Sequence, residues 1–272
     1  MVLCAALMHA TWNALMKGAP DRAVMSGLLC IGNAVFGAGL LVLAPVMTRE
    51  AVPWAIASIV IHWGYFYMLN VAYRLGDLSL IYPISRGLAP LLVALGAQVW
   101  IGETLPLYGW LGVGAISVGI SVLAAPALRG ALPVACVMAA VCVGVIVASY
   151  SLVDGLGVRA SGAPLAYIGW VFVGNVTVAL YVLPSRWGRL RALPARAIWI
   201  GLLGGIISGA AYGLVLYAKT LAPLGLVSAL RETSVIFAAM IGVLWFGEGP
   251  RGRRVIAAVI VALGIVLIAG QG

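Results

Sequence analysis

The sequence predicts an all-α integral membrane protein with ten transmembrane helices, and three observations carry this prediction: composition, the spacing of loop signals and an internal repeat. Hydrophobic residues fill 64% of the 272 positions and charged residues only 8%, whereas soluble proteins carry about 25% charged residues. A soluble domain of this length needs a polar surface, and this chain has too few charged residues to provide one. Lipid is therefore the expected solvent. The net charge of +9 comes from short loops, a pattern that orients membrane proteins. We therefore expect no nucleic-acid partner.

Glycine, proline and charged residues divide the chain into ten apolar segments. Each is close to the roughly 20 residues that a helix needs to cross a bilayer. The segments are approximately 1–17, 23–47, 53–73, 78–101, 106–126, 133–153, 164–184, 196–218, 224–246 and 253–270. The connections between them leave no room for a soluble domain.

The two halves of the chain share a pattern at a constant offset of 145 residues. The matched residues are Arg86, Trp100, Gly102, Glu103, Gly119 and Ile120 in the first half and Arg231, Trp245, Gly247, Glu248, Gly264 and Ile265 in the second. We therefore predict two five-helix repeats, residues 1–130 and 131–272. An odd number of helices inverts the second copy in the membrane. Inverted repeats place a substrate site near the bilayer midplane around a central cavity and operate by alternating access.

Particular motifs also resemble a known family. They are the run from His9 through Trp12 and Asn13 to Lys17, the Pro90 stretch leading into Gly102-Glu103, and the matching Gly247-Glu248. The sequence resembles the drug/metabolite transporter superfamily, specifically the EamA-type ten-helix exporters that include YddG-like amino-acid exporters. The resemblance covers essentially the whole chain. It implies a multi-pass protein of the cell (inner) membrane that exports amino acids, metabolites or drugs through a central cavity.

Polar and aromatic residues three or four apart share one helix face. Such faces should turn toward the bundle interior, because lipid cannot satisfy their hydrogen bonds. The candidate substrate-binding residues are His9, Trp12, Asn13, Trp63, Tyr67, Tyr82, Arg86, Tyr150, Tyr212 and Arg231. Helix–helix contact, or an interfacial belt for Trp and Tyr, is the alternative. For the two arginines, structural pairing and binding of a substrate carboxylate are both open, and Glu232 is not the expected partner of its neighbour Arg231.

The coupling ion depends on ionisable groups inside the membrane. Small four-helix exporters of the superfamily carry a membrane-embedded glutamate in helix 1, whereas this chain has His9 and Asn13 there. We predict no acidic residue deep in any helix, which leaves His9 as the mid-membrane group that titrates near neutral pH. Burial disfavours the charged imidazolium. We therefore predict a facilitator driven by the substrate gradient.

Two further features concern helix 4 and the turns. Pro83 and Pro90 predict an interruption of helix 4, which has no proline counterpart in helix 9. Glu103 and Glu248 follow glycine at a turn, where a carboxylate favours a helix N-terminus.

The expected function is a carrier that exports small metabolites, most simply neutral or aromatic amino acids. A channel, a lipid-handling protein and an exporter of drugs or other metabolites are the alternatives. An enzyme is not expected, because the sequence has no clustered nucleophile, acid or base, and we expect neither a cofactor nor a metal. The partners are a small-molecule substrate and membrane lipids, with the chain acting as a monomer. Loops after odd-numbered helices hold eleven Lys and Arg residues and the others three, which predicts both termini outside the cytoplasm. The resemblance to the EamA-type exporters implies the opposite orientation, with both termini inside.

Overall fold

The computed structural model describes residues 1–16, 21–75, 78–124, 133–244 and 251–270. All regular structure in these ranges is helical, because a helix satisfies its own backbone hydrogen bonds where lipid offers no partner. The helices are α1 (Val2–Met16), α2 (Arg22–Leu43), α3 (Val52–Leu75), α4 (Leu78–Ile101), α5 (Leu107–Ala124), α6 (Val134–Ala160), α7 (Pro164–Gly174), α8 (Val176–Ser185), α9 (Trp187–Arg191), α10 (Ala195–Ala218), α11 (Leu224–Arg231), α12 (Ser234–Leu244) and α13 (Arg251–Ala269), with a 3₁₀ turn at Arg49–Ala51.

The helices match the ten predicted segments. Within the described ranges, seven stretches are long and apolar enough to cross a membrane, and Val2–Met16 and Leu107–Leu123 are shorter apolar helices. The ninth segment, 224–246, is divided between α11 and α12. The prediction of an all-α, multi-pass membrane protein is confirmed.

The position of the helix interruption differs from the sequence prediction. Helix α4 runs without a break through Pro83 and Pro90, whereas α11 ends at Arg231 and α12 begins at Ser234 without any proline between them. A proline inside a membrane helix removes one backbone hydrogen bond, which neighbouring helices can offset. At the interruption, the Thr233 hydroxyl donates to the Leu230 carbonyl oxygen at 2.7 Å, and such side-chain bonds compete with the helical ladder.

The chain forms two compact units. The first contains Met1–Val60 and Asp154–Thr220, and the second contains Ile61–Val153 and Leu221–Gly272. Each unit combines segments from both halves of the sequence. The predicted repeats, 1–130 and 131–272, are defined by matched sequence positions, whereas the two compact units are defined by contacts in space. The repeats therefore stay a prediction.

In the first unit, α2 packs against α7, α8 and α10, and α1 packs against α10. A Cβ on Gly32 would lie 2.8 Å from the Cα of Gly205, so two glycines allow the backbones of α2 and α10 to approach closely. Asp21 caps α2 by accepting the backbone N–H groups of Ala23 and Val24 and also pairs with Arg189 of α9 at 3.1 Å. Asp21 and Arg189 lie in the loops after the first and the seventh predicted segments. Loops that follow odd-numbered segments are expected on the same side of the membrane, so this contact agrees with the predicted topology.

In the second unit, α5 packs against α13, and α4 packs against α5 and α11. A Cβ on Gly112 would lie 2.8 Å from the Gly264 carbonyl oxygen, and one on Gly119 would lie 3.1 Å from the Ala257 carbonyl oxygen. Residue numbers rise in α5 as they fall in α13, so the two helices are antiparallel. The contact therefore joins two helices that carry the matched Gly-Ile pairs of the sequence repeat.

Candidate functional site

A buried ion pair joins α4 to the interruption between α11 and α12. Nη1 of Arg86 donates to Oε1 of Glu232 at 3.2 Å, and the two side chains are 7% and 3% exposed. Arg86 is a predicted site residue, and Glu232, which was not expected to pair with its neighbour Arg231, pairs instead with this arginine 146 residues away. The expectation that no acidic residue lies deep in a helical segment is wrong for Glu232.

Glycine packing explains why these two residues meet. A Cβ on Gly225 of α11 would lie 2.8 Å from the Cβ of Ala94 in α4, so the absence of a side chain brings the two helices into close contact. Glu232 lies seven residues after Gly225, and Arg86 lies eight residues before Ala94. Both are therefore about two turns away from the contact, in opposite chain directions, which brings their side chains together.

One oxygen of the Glu232 carboxylate is left for another partner. Oε2 is buried and has no hydrogen-bond partner among the described residues. Glu232 lies two residues before the start of α12, and a helix N-terminus favours a negative charge. A buried acceptor without a partner costs about 1–3 kcal/mol. A donor that arrives at this oxygen would recover that cost.

Aromatic side chains surround the ion pair. The guanidinium carbon of Arg86 lies 5.3 Å from the centre of the Tyr82 ring, within the range of a cation–π contact. Tyr150 is buried and stacks on His62 with ring centres 4.5 Å apart. Arg231, the residue before Glu232 in the chain, is also buried. We call these five residues, Tyr82, Arg86, Tyr150, Arg231 and Glu232, the ion-pair cluster.

The turn after α4 contacts the start of α11, the helix that leads to Glu232. Gly102 has a φ of +72°, a left-handed conformation that glycine adopts without steric cost. The next residue, Glu103, accepts the Leu224 backbone N–H at 2.7 Å through Oε2. The predicted capping role of Glu103 is confirmed, although the capped helix is α11 rather than the helix that follows it. Trp245, Gly247 and Glu248 lie outside the described residues.

A second polar group forms on one face of α1. Trp12 Nε1 donates to His9 Nδ1 at 3.3 Å, and Asn13 Nδ2 donates to the His9 carbonyl oxygen at 2.7 Å. The predicted shared face is therefore observed in this helix. His9 is buried, but so is His62 in the middle of α3. His9 is thus not the single buried imidazole of the chain.

A third group, in the first unit, was missed by the sequence reasoning. Asp154 of α6 is fully buried and accepts the Tyr167 hydroxyl at 3.2 Å and the Tyr212 hydroxyl at 2.7 Å. Asp154 lies inside α6, six residues before its last residue, Ala160. The predicted segment ended at residue 153, whereas α6 continues to Ala160. We call Asp154, Tyr167 and Tyr212 the Asp154 cluster.

The structure brings together four of the ten candidate residues, Tyr82, Arg86, Tyr150 and Arg231, in the ion-pair cluster. Trp63 is half-buried and Tyr67 is 72% exposed, both on α3. His9, Trp12, Asn13 and Tyr212 belong to the first unit. A single pocket lined by all ten stays a prediction. Within the described ranges, no three His, Cys, Asp or Glu side chains are grouped as metal ligands would be.

Comparison with known proteins identifies the family. The model of the EamA-like transporter family matches residues 134–270, which is half of the chain. The chain belongs to the EamA-like transporter family. It is therefore a multi-pass membrane transporter of small molecules, in a lipid environment.

A solved structure of another protein has the same fold as this chain along the full length of the chain. A crystal structure of another protein superposes with a TM-score of 0.79 and 19% sequence identity, covering 100% of this chain and 98% of the other. At this identity the likeness shows the fold alone. No curated protein matches the chain.

Proposed function

We propose that the chain is a carrier that exports neutral or aromatic amino acids across the cell (inner) membrane by alternating access. The observation that carries this proposal is the ion-pair cluster: a buried arginine and a buried carboxylate, one of whose oxygens has no partner among the described residues. Amino acids carry one ammonium and one carboxylate, and these are the complements of Glu232 and Arg86.

The charges favour a zwitterion over a simple ion. Arg86 and Glu232 balance each other and Arg231 is buried as well, so the site offers positive charge for a carboxylate and one carboxylate oxygen for an ammonium group. A zwitterion adds no net charge. Its ammonium would donate to Glu232 Oε2, and its carboxylate would bind the guanidinium of Arg86 or Arg231.

The surroundings favour an uncharged or aromatic side chain. Tyr82, Tyr150 and Tyr65 supply aromatic surface beside the pair. Aromatic rings contribute about 0.5–1.5 kcal/mol each when paired beyond the area they bury. Amphiphilic amino acids such as phenylalanine therefore fit better than acidic or basic ones.

Two observations support a carrier over a channel. A helix interrupted in the membrane is a feature of transporter binding sites, and the break at 232–233 holds one member of the pair. The antiparallel contact of α5 with α13, two helices 145 residues apart, supports an inverted duplication. Inverted repeats move against one another during alternating access.

The test is a competition assay with phenylalanine and its truncated analogues in proteoliposomes. Phenylethylamine lacks the carboxylate, and N-acetylphenylalanine lacks the ammonium. We expect unlabelled phenylalanine to compete with labelled phenylalanine at least ten-fold better than either analogue. Equal competition by phenylethylamine would instead favour the alternative, an exporter of cationic drugs or other metabolites.

Exchange of the two charges separates recognition from structural pairing. The variant Arg86→Glu with Glu232→Arg keeps an ion pair but reverses its direction. If the pair only holds helices together, this variant transports phenylalanine normally. We expect it to fold and to lose phenylalanine transport, because the ammonium and the carboxylate of the substrate would each meet a like charge.

A further inference from the structure

Two asparagine side chains are buried in the apolar interior of the first unit. Asn33 of α2 is 4% exposed, and Asn175, between α7 and α8, is 3% exposed. The Oδ1 atom of each has no hydrogen-bond partner among the described residues. Buried polar side chains are hydrogen-bonded in the large majority of cases, to protein or to ordered water. Two such oxygens in one unit therefore point to a ligand.

Both asparagines lie at the middle of their membrane spans. The spans Arg22–Leu43 and Pro164–Ser185 have 22 residues each. Asn33 and Asn175 each lie eleven residues after the first residue of the span and ten before the last. At the helical rise, each is roughly 15 Å from either end. The two amides are therefore at the same depth, in the hydrocarbon core.

The packing of α2 against α7 and α8 puts the asparagines side by side along the helices. A Cβ on Gly27 would lie 2.7 Å from Leu183 Cδ2, and one on Gly37 would lie 2.8 Å from Phe172 Cβ. Residue numbers therefore fall along α7 and α8 as they rise along α2. In this register Asn33 is level with position 176 or 177, one or two residues from the other asparagine.

Helix α10 contacts the faces on which both asparagines lie. Asn33 Oδ1 is 3.1 Å from the position of a Cβ on Gly209, and Phe172 Cε2 is 3.7 Å from that of a Cβ on Gly213. The Asn175 N–H donates to the Phe172 carbonyl oxygen at 3.1 Å, and this i to i+3 pattern puts the two side chains on one face. Consecutive membrane spans run antiparallel, so one turn forward in α7 is one turn back in α10. Asn175 therefore lies near the level of Gly209.

The chemistry of the two amides favours a water molecule as the ligand. Each oxygen needs a donor, and one water molecule has two O–H donors. Buried waters typically make about three hydrogen bonds to polar groups that are otherwise unsatisfied, and an amide N–H can supply the third. A cation would also bind amide oxygens, but two neutral side chains do not offset a charge at the bilayer midplane. Water also inserts at interruptions of the helical ladder, such as the one at Asn175.

We propose that Asn33 and Asn175 bind one water molecule at the middle of the membrane, beside Gly209 of α10. The water donates one hydrogen bond to each Oδ1 and so connects α2 to the break between α7 and α8. This site is separate from the ion-pair cluster, which lies in the other unit. The inference goes beyond the proposed function and does not depend on the transport of phenylalanine.

The first experiment detects the water by X-ray hydroxyl-radical labelling of the full chain in lipid nanodiscs, read by mass spectrometry. Radicals formed from a bound water oxidise the side chains beside it, even where bulk solvent does not reach. Phe172 is 2% exposed and is the reporter. We expect Phe172 to be labelled in the native chain and at least five-fold less in Asn33→Leu with Asn175→Leu. Absence of the label in the native chain, or equal labelling in the double variant, would overturn the proposal.

The second experiment asks whether the two amides share their ligand. Leucine is close in size to asparagine, so the two single variants and the double variant keep the space filled. Unfolding in SDS mixed micelles gives an equilibrium constant for each of the four chains. We expect the effect of the double variant to differ at least five-fold from the product of the single effects, because one water bonds to both side chains. Effects that simply multiply would overturn the shared site.

Two other arrangements give different results. A sodium ion at the site would make the Tm of the native chain higher in NaCl than in choline chloride at equal ionic strength, and Asn33→Leu would remove the difference. A direct bond between the two amides would give coupled unfolding constants without any label on Phe172. Either result would overturn the water site, for which we expect the same Tm in both salts together with labelling of Phe172.

Discussion

Removal of Arg86 should destabilise the fold far more than removal of the whole ion pair. In Arg86→Gln, Glu232 would remain buried at 3% exposure without its counter-ion. In the double variant Arg86→Gln with Glu232→Gln, two neutral amides of similar size occupy the same space and can bond to each other. The comparison therefore separates the cost of an orphaned charge from the value of the pair.

The structure sets the expected magnitude. Two unit charges 3.2 Å apart attract by about 5 kcal/mol at an effective dielectric constant of about 20. Loss of one partner from a buried pair costs about 3–5 kcal/mol in practice, and protonation of the remaining carboxyl group limits the penalty. We expect Arg86→Gln to lower the free energy of unfolding by about 3 kcal/mol or more, and the double variant to lower it by about 1 kcal/mol.

The assay is reversible unfolding of the purified protein by SDS in mixed micelles, followed by tryptophan fluorescence. The coupling energy from the four proteins in the cycle measures the interaction directly. A single variant as stable as the native chain would refute the reasoning, and so would a double variant as unstable as the single one. Either result would mean that Glu232 is not a buried charge that depends on Arg86.

Three further predictions concern packing, pH and orientation. Gly157→Ala should destabilise the first unit by about 1–3 kcal/mol, because its Cβ would overlap the Tyr167 ring. At Gly114 nothing lies within 4 Å of a new Cβ, so Gly114→Ala should be neutral or stabilising in the same SDS assay. Equal effects of the two substitutions would contradict the packing of Tyr167 on Gly157. Burial alone would raise the pKa of Asp21, but hydrogen bonds from the Val24 and Ala23 backbone and from Arg189 outweigh it and hold this pKa below its ordinary value of 3.8. The Asp21 contribution to stability is therefore present above about pH 4 and is lost as the pH falls further, so the difference in Tm between native chain and Asp21→Asn should shrink below pH 4; a constant difference would exclude this origin. A reporter fused to the C-terminus and active only in the cytoplasm should stay silent, and strong signal would reverse the predicted orientation.

Patterns within one helix were predictable, because a helix fixes which residues share a face. The group of His9, Trp12 and Asn13 is an example, since their spacing of three and four residues is enough to bring them together. The ten apolar segments were equally accessible, because length and hydropathy decide membrane insertion. The capping role of Glu103 followed from its place after a glycine, although its partner did not.

Contacts between distant segments were not predictable from one sequence. Glu232 meets Arg86 because Gly225 brings α11 against Ala94, and no local pattern encodes that approach. Asp154 was missed for a simpler reason: the predicted segment stopped one residue before it, while α6 continues through Gly157 to Ala160. The break after Arg231 also escaped prediction, because a threonine side-chain bond rather than a proline marks it.

Counterflow of labelled phenylalanine in proteoliposomes tests the central claim most directly. Vesicles loaded with unlabelled phenylalanine should take up the labelled compound transiently above equilibrium, with saturable kinetics, since a carrier exchanges substrate across the membrane. The double variant Arg86→Gln with Glu232→Gln should fold but lose this uptake. Flux that rises linearly with concentration and shows no counterflow would contradict a carrier, and counterflow that survives in the double variant would contradict the ion-pair cluster as its site.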